Sequence, residues 1–254
     1  MSWRMTAMLL TRRMVLAAAA AASLVPAARA DEQKTIVVEL FTSQGCSSCP
    51  PADEYMHELT ARPGVLALSM NVDIWDYLGW KDSLGSHENT LRQQAYARRM
   101  PQRQVYTPQS IVDGMMDVVG SRKGQVDAAI DSRRAATGPR LALALDGADL
   151  AITVDAAPDY AGPQATVWLM RKLSRAEVDI GAGENAGRKI TYVNVVRAIS
   201  GIGSWKGEAL TLRVPRRDSM APPHDGYAVL VQAEGEGEIL AAGSIEDPSL
   251  TAIR

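Results

Sequence analysis

Ile36-Val37-Val38-Glu39-Leu40-Phe41-Thr42-Ser43-Gln44-Gly45-Cys46-Ser47-Ser48-Cys49-Pro50-Pro51-Ala52-Asp53 reads as an apolar, β-branched strand, a short loop and the start of a helix. The only two cysteines of the 254 residues sit where strand gives way to helix. Thiol–disulfide exchange needs one thiolate that attacks and a second thiol near enough to resolve the mixed disulfide. Two intervening residues at a helix start allow both, because the free N–H groups and positive end of the helix favour a thiolate. On this reading Cys46, on the loop side, is the nucleophile and Cys49 the resolving thiol. Pro50 and Pro51 donate no backbone hydrogen bond and fit only a first turn, which moves the helix start toward Ser48. Asp53 and Glu54 add negative charge, so the expectation is a moderately activated thiol. The same spacing also suits a structural bridge or a soft metal. So short a loop gives a disulfide only roughly 2 kcal/mol of chain-entropy stabilisation, which weakens the bridge reading.

The first thirty residues read as a cleavable export signal: Arg4, Arg12 and Arg13, an apolar alanine-rich stretch, then Ala28-Arg29-Ala30. Thr11-Arg12-Arg13-Met14-Val15-Leu16 also fits a twin-arginine signal. The mature chain then begins at Asp31 and is expected in the periplasm or outside the cell. Without Arg4, Arg12, Arg13 and Arg29, 23 basic residues face 29 acidic ones, a formal charge of −6. No basic block remains, which argues against a nucleic-acid partner. No stretch reaches membrane-spanning length, so no stable membrane insertion of the mature chain is expected. In an oxidising compartment a cysteine pair persists as a disulfide.

Two textures follow along the chain. From Thr35 to Ala136, strand-like and helix-like segments alternate: Thr35–Phe41, a helix over Pro51–Ala61, Val65–Val72, and a helix from an N-cap at Ser86 to Arg99. A hairpin turning at Asp113-Gly114 and a helix over Gln125–Ala136 complete this half. Such alternation predicts an α/β layer. Thr137-Gly138-Pro139 is the expected boundary. Beyond it, short alternating segments (Leu141–Leu145, Leu150–Val154, Ala165–Met170, Thr191–Ala198, Ala209–Val214, Tyr227–Ala233, Ile239–Ser244) predict a β-sandwich. The expectation is therefore an α/β domain over 31–138 and an all-β, sandwich-like domain over 139–254, after the signal over 1–30.

The order strand, loop, Cys-x-x-Cys, Pro, helix resembles the thioredoxin superfamily, as does Thr107-Pro108 before the strand Ser110–Val112. The resemblance implies a thioredoxin-like fold for the first domain, a cis Thr107–Pro108 bond beside the disulfide, and Thr107 offering backbone bonds to a bound partner. More closely, the chain resembles the bacterial exported domain of unknown function 1223. Val38 to Asp53, Val72-Asp73-Ile74-Trp75-Asp76-Tyr77-Leu78-Gly79-Trp80-Lys81-Asp82, Tyr106-Thr107-Pro108-Gln109 and Val112-Asp113-Gly114 carry that likeness. The family's name assigns no activity.

Further candidates follow. Thioredoxins place an acid near Glu39 to relay the resolving thiol's proton, and a buried carboxyl there would have the raised pKa this needs; the alternative is a solvent-facing or cation-paired Glu39. Trp75, Tyr77 and Trp80 cluster in an apparent insertion, either lining a partner groove beside Cys46 or plugging the core. His57, His87 and His224 are scattered and show no zinc-site spacing. Gly181 to Gly187 reads as a flexible loop. The functional expectation is exchange with protein or small-molecule thiols and disulfides, using Cys46, Cys49, Pro108 and Glu39, with no bound cofactor or metal. A metal-delivery module using the same thiols, or an envelope binding protein with a structural disulfide, are the alternatives.

Overall fold

The computed structural model describes residues 34–101 and 103–251; the export-signal reading lies outside them. Strands β1 (Ile36–Thr42), β2 (Val65–Asn71), β3 (Gln109–Val112) and β4 (Met116–Val119) form the first half, with helices α1 (Pro50–Thr60), α2 (His87–Arg99) and α3 (Lys123–Arg133). The second half holds β5 (Leu141–Asp146), β6 (Asp149–Val154), β7 (Ala165–Asp179), β8 (Lys189–Trp205), β9 (Leu210–Pro215), β10 (Gly226–Ala233), β11 (Ile239–Glu246) and the short α4 (Pro248–Thr251). Among the described residues no helix is long and apolar enough to cross a membrane.

β1 is buried along its whole length, as a strand covered on both faces must be. Its side chains alternate between two cores. Ile36, Val38 and Leu40 pack under α1 and α3 with Tyr55, Met56, Leu59, Val126 and Ile130. Val37 and Phe41 face the other way, toward Tyr96 and Met100 of the α2 side. β2 runs parallel to β1, β3 antiparallel to it. The β3–β4 turn has Asp113 and Gly114 at φ 55° and 71°, as a tight Asp-Gly hairpin requires. Ser86 caps α2 by accepting from the Glu88 N–H at 3.2 Å.

The fold is mixed α/β, dominated by one eight-stranded sheet in the order β11-β10-β7-β8-β2-β1-β3-β4. This corrects the expectation of a free-standing β-sandwich after Thr137-Gly138-Pro139. β8 joins β2 in parallel at Ser69 and Val195, so strands from both halves share a sheet. They also share a core: Val37, Phe41 and Ile111 cluster with Met170, Val196, Ala228, Leu230 and Ile239. Two β-layers do pack in the second half, where the three-stranded sheet β5-β6-β9 sets Leu150, Ile152 and Val154 against Val167, Leu169, Val229 and Val231. One of those layers is the continuation of the first half's sheet. Apolar alternation reveals a strand but not its neighbour, so sequence reading could not see the junction.

The β10–β11 hairpin end is tied back onto the first half. The Ile239 N–H donates to the Asp113 carbonyl at 3.1 Å. Lys34 bonds Asp113 at 2.7 Å, and Arg133 pairs with both Asp113 and Glu238. A Cβ at Gly114 would lie 2.2 Å from the Gly237 carbonyl oxygen, so only glycine permits this approach.

The longest departures from expectation are β7, at 15 residues, and β8, at 17. The paired ends, Leu173–Asp179 of β7 and Lys189–Val195 of β8, form a hairpin arm. Leu173, Ala176 and Val178 pack there with the buried Ile190, Tyr192 and Val195, while the exposed Ser174, Arg175, Glu177 and Asp179 interrupt the apolar run.

Candidate functional site

The cysteine loop begins where β1 ends. The Cys46 N–H donates to the Ser43 carbonyl at 3.1 Å, and the Cys49 N–H to the Cys46 carbonyl at 3.2 Å. Cys46 and Cys49 are joined by a disulfide with Cα atoms 5.4 Å apart. Cys49 is the N-cap of α1, and its carbonyl accepts from Ala52 and Asp53 at 2.8 and 3.1 Å. The prolines therefore hold the first turn, where a missing N–H costs nothing. Cys46 is 7 % exposed and Cys49 fully buried, so an incoming sulfur meets Cys46 first. With Pro50 and Pro51 unable to donate, the contact at Cys46 Sγ is a hydroxyl: Ser48 Oγ lies 3.4 Å away.

The Thr107–Pro108 bond is cis. The Thr107 carbonyl lies 3.5 Å from Ser48 Oγ, which brings the proline loop to the rim of the disulfide. Thr107 Oγ1 accepts from Trp75 Nε1 at 2.8 Å. Trp75 also closes on the cysteine loop, since a Cβ at Gly45 would sit 3.2 Å from its own Cβ. Tyr77 stands beside Trp75 with ring centroids 6.3 Å apart and is 74 % exposed. Trp80 goes elsewhere. Its Nε1 donates to Gln44 Oε1 at 2.8 Å, and its ring packs on the cluster of Leu84, Ile180, Ile190, Tyr192 and Val195. The aromatic trio thus splits between rim and core.

One turn beyond Cys49 stands a carboxyl that sequence reasoning counted only as a charge opposing the thiolate. Asp53 is one turn further along α1, and side chains at that spacing share a helix face, about 6 Å apart. It is buried; Thr42 Oγ1 donates to its Oδ1 at 2.7 Å, and its Oδ2 has no partner. Burial pushes its pKa up to about 8; the Thr42 bond opposes this and the Asp82 charge adds to it. Asp82 is itself buried and raised by burial, and it accepts from the Gln44 N–H at 2.8 Å. The Tyr192 hydroxyl is buried without a partner; burial, then the charges of Asp53 and Asp82, push its pKa far up. The clue available in the sequence was an acid in a helix's first turn, which by itself signals only a favourable dipole interaction.

Glu39 faces the other core. Arg92 grips it through Nε to Oε1 at 2.6 Å and through a second nitrogen to Oε2 at 3.1 Å, while the Tyr96 hydroxyl donates to Oε2 at 2.5 Å. Gln232 of β10 completes the network by accepting from Arg92 at 2.9 Å. Both carboxylate oxygens are occupied, and the residue is a cation-paired buried acid on the face of β1 opposite Thr42 and Asp53.

The arm formed by β7 and β8 delivers residues that local reading assigned to a flexible loop. Asn185 is buried, and its Nδ2 donates to the carbonyls of both Gln44 and Cys46 at 2.9 and 2.8 Å. Glu184 Oε2 accepts from the Ser47 N–H at 3.3 Å. The glycines that suggested flexibility allow the turn, with Gly183 and Gly187 at positive φ. The histidines are occupied elsewhere: His57 Nε2 is 3.0 Å from the Thr191 carbonyl and His87 Nδ1 3.0 Å from Asp73, while His224 Nδ1 is 2.9 Å from the Pro222 carbonyl. Among the described residues no three His, Cys, Asp or Glu side chains converge as metal ligands.

Residues 37–232 match the family described as Protein of unknown function (DUF1223). The crystal structure of protein AGR_C_4864 from Agrobacterium tumefaciens is similar at 33 % identity and TM-score 0.75, over 85 % of this chain and 96 % of that one. HBP35 of Porphyromonas gingivalis shares the fold at 15 % identity and TM-score 0.56, over 85 % of this chain and 76 % of that one. No curated protein matches.

Proposed function

The chain belongs to the DUF1223 family, whose name leaves the activity open, and from the site itself we propose that it is an exported thiol–disulfide exchange protein with a thioredoxin-like first half. The observation that carries this reading is the buried, proton-holding Asp53 one turn beyond a buried Cys49. A disulfide that serves only as a staple has no use for an unpartnered carboxyl, whose burial costs stability. A resolving thiol has: each time the S–S bond opens, a buried sulfur must gain a proton.

The partner's thiolate attacks Cys46 Sγ. A partner–Cys46 bond forms, the Cys46–Cys49 bond breaks, and its electron pair goes to Cys49 Sγ. Asp53 supplies the proton to that sulfur. Its pKa of about 8 keeps it mostly protonated at neutral pH and close to a thiol's own value, where transfer in either direction is efficient. A second partner thiolate releases Cys46, and the reverse sequence oxidises the partner. Ser48 Oγ donates to the Cys46 sulfur as charge develops, and Thr107 and Trp75 form the rim on which the partner rests. The Thr107–Pro108 loop at the disulfide's rim, where the Thr107 carbonyl approaches Ser48, adds support. The partners on this reading are thiols and disulfides of the cell envelope.

The test is a trap. Reduced Cys49→Ala protein mixed with glutathione disulfide accumulates a glutathione adduct on Cys46, read by intact mass, while wild-type protein returns to its internal disulfide and releases two equivalents of glutathione. If wild-type protein stays reduced and the variant stays unmodified, the pair is not an exchange centre.

A further inference from the structure

Glu184 lies 137 positions beyond Ser47 in sequence, yet its carboxylate accepts the Ser47 N–H immediately beside Cys46. The contact is fixed rather than incidental. Asn185, the next residue, is buried and holds the Gln44 and Cys46 carbonyls with one amide nitrogen. The tip of the β7–β8 arm therefore cannot drift from the disulfide without breaking two buried hydrogen bonds. The other residues at this rim, Ser47, Ser48, Thr107 and Trp75, are uncharged. Among the described residues no cation pairs with Glu184, whereas carboxylates such as Glu58, Glu177 and Glu238 are paired. An unpaired carboxylate thus stands beside the point where a partner sulfur must approach.

Resting on the exchange reading, the geometry points to Glu184 as a specificity-determining residue that selects thiol and disulfide partners carrying positive charge beside their sulfur. A cationic group on the partner is drawn to the carboxylate as the sulfurs meet, and an anionic group is repelled. A charge about 7 Å from Glu184 in water-like surroundings changes a rate by roughly three-fold, so probes of opposite sign differ by about ten-fold. The preference is electrostatic and exposed, so it shrinks as salt is raised toward molar concentration.

The experiment uses the full mature chain, reduced at Cys46 and Cys49, with cystamine as the cationic disulfide and dithiodipropionate as the anionic one. In each reaction the Cys46 thiolate attacks a probe sulfur, the probe S–S bond breaks, and one half leaves as a thiolate. Cys49 then displaces the other half, so two electrons pass from the protein to the probe. The ratio of the two rates cancels any change in the nucleophilicity of Cys46. Wild-type protein is expected to favour cystamine; Glu184→Gln lowers the ratio about ten-fold and Glu184→Lys inverts it, with far-ultraviolet circular dichroism confirming that each variant is folded. A ratio equal in wild type and Glu184→Gln overturns the inference while leaving exchange intact. Wild-type protein that oxidises with neither probe nor with neutral bis(2-hydroxyethyl) disulfide removes the exchange reading, and the inference with it.

Discussion

Replacing Asp53 by Asn tests the buried carboxyl directly, and the structure sets the size of the effect. Unfolded, the group ionises near 3.8; folded, burial moves it to about 8 against the opposing bond from Thr42. Between those values the folded chain holds a proton that the unfolded chain has released, so stability falls as pH rises, by about 1.4 kcal/mol per pH unit. The contribution is complete below pH 3.8 and is lost as pH climbs through about 8, a total of roughly 6 kcal/mol. Asp53→Asn cannot titrate. The assay is urea unfolding of oxidised wild-type and Asp53→Asn protein from pH 4 to pH 9, followed by tryptophan fluorescence. Other titrating groups largely cancel in the difference. The variant is expected to gain steadily on the wild type with rising pH and to be the more stable protein above pH 8. Parallel stability profiles would refute the buried-acid argument and remove the chief support for a proton relay.

Three further outcomes follow from the geometry. Ser48→Ala removes the hydroxyl 3.4 Å from Cys46 Sγ and should slow iodoacetamide labelling of reduced Cys46 at pH 7 by roughly three-fold; an unchanged rate rules out its donor role. Arg92→Leu leaves Glu39 buried and unpaired and should cost about 3–5 kcal/mol in denaturant unfolding, whereas Glu39→Gln should leave exchange per folded molecule intact; a loss matching that of Asp53→Asn would return the relay to Glu39. Trp80→Ala should lower stability by roughly 2–3 kcal/mol with turnover per folded molecule preserved, while Trp75→Phe, which breaks the bond to Thr107, should lower turnover with little change in melting. The opposite pattern would exchange their roles.

The two halves of the chain are coupled through this site. The arm that holds the cysteine loop belongs to β7 and β8, which continue into the sheet beside β10. Gln232 of β10 reaches the Glu39–Arg92 pair, and Glu238 reaches Lys34 and Arg133. The second half is thereby a wall of the site and part of its core.

Local chemistry was legible in the chain itself. The apolar run Ile36–Phe41, the Cys-x-x-Cys with its prolines, the Ser86 cap and the Asp113-Gly114 turn each rest on short-range sterics or hydrogen bonding, so their residues announce them. The resemblance to thioredoxins added the expectation of a cis Thr107–Pro108 bond, which is cis in the structure. What distance in sequence conceals was decided only by folding. On paper Glu39 is the relay candidate and Asp53 only a first-turn acid beside the cysteines. The pleat of β1 turns Glu39 toward Arg92, while α1 turns Asp53 inward beneath Cys49. Trp75 and Trp80 are five residues apart in one insertion, yet one meets Thr107 and the other the core. Glu184 and Asn185 sit in a stretch whose glycines announce only a turn. Their meeting with Cys46 depends on how far β7 and β8 extend and where the sheet directs them, which is a property of strand pairing across the whole molecule. Composition and periodicity determine the elements; the shared sheet determines which side chains stand around the disulfide.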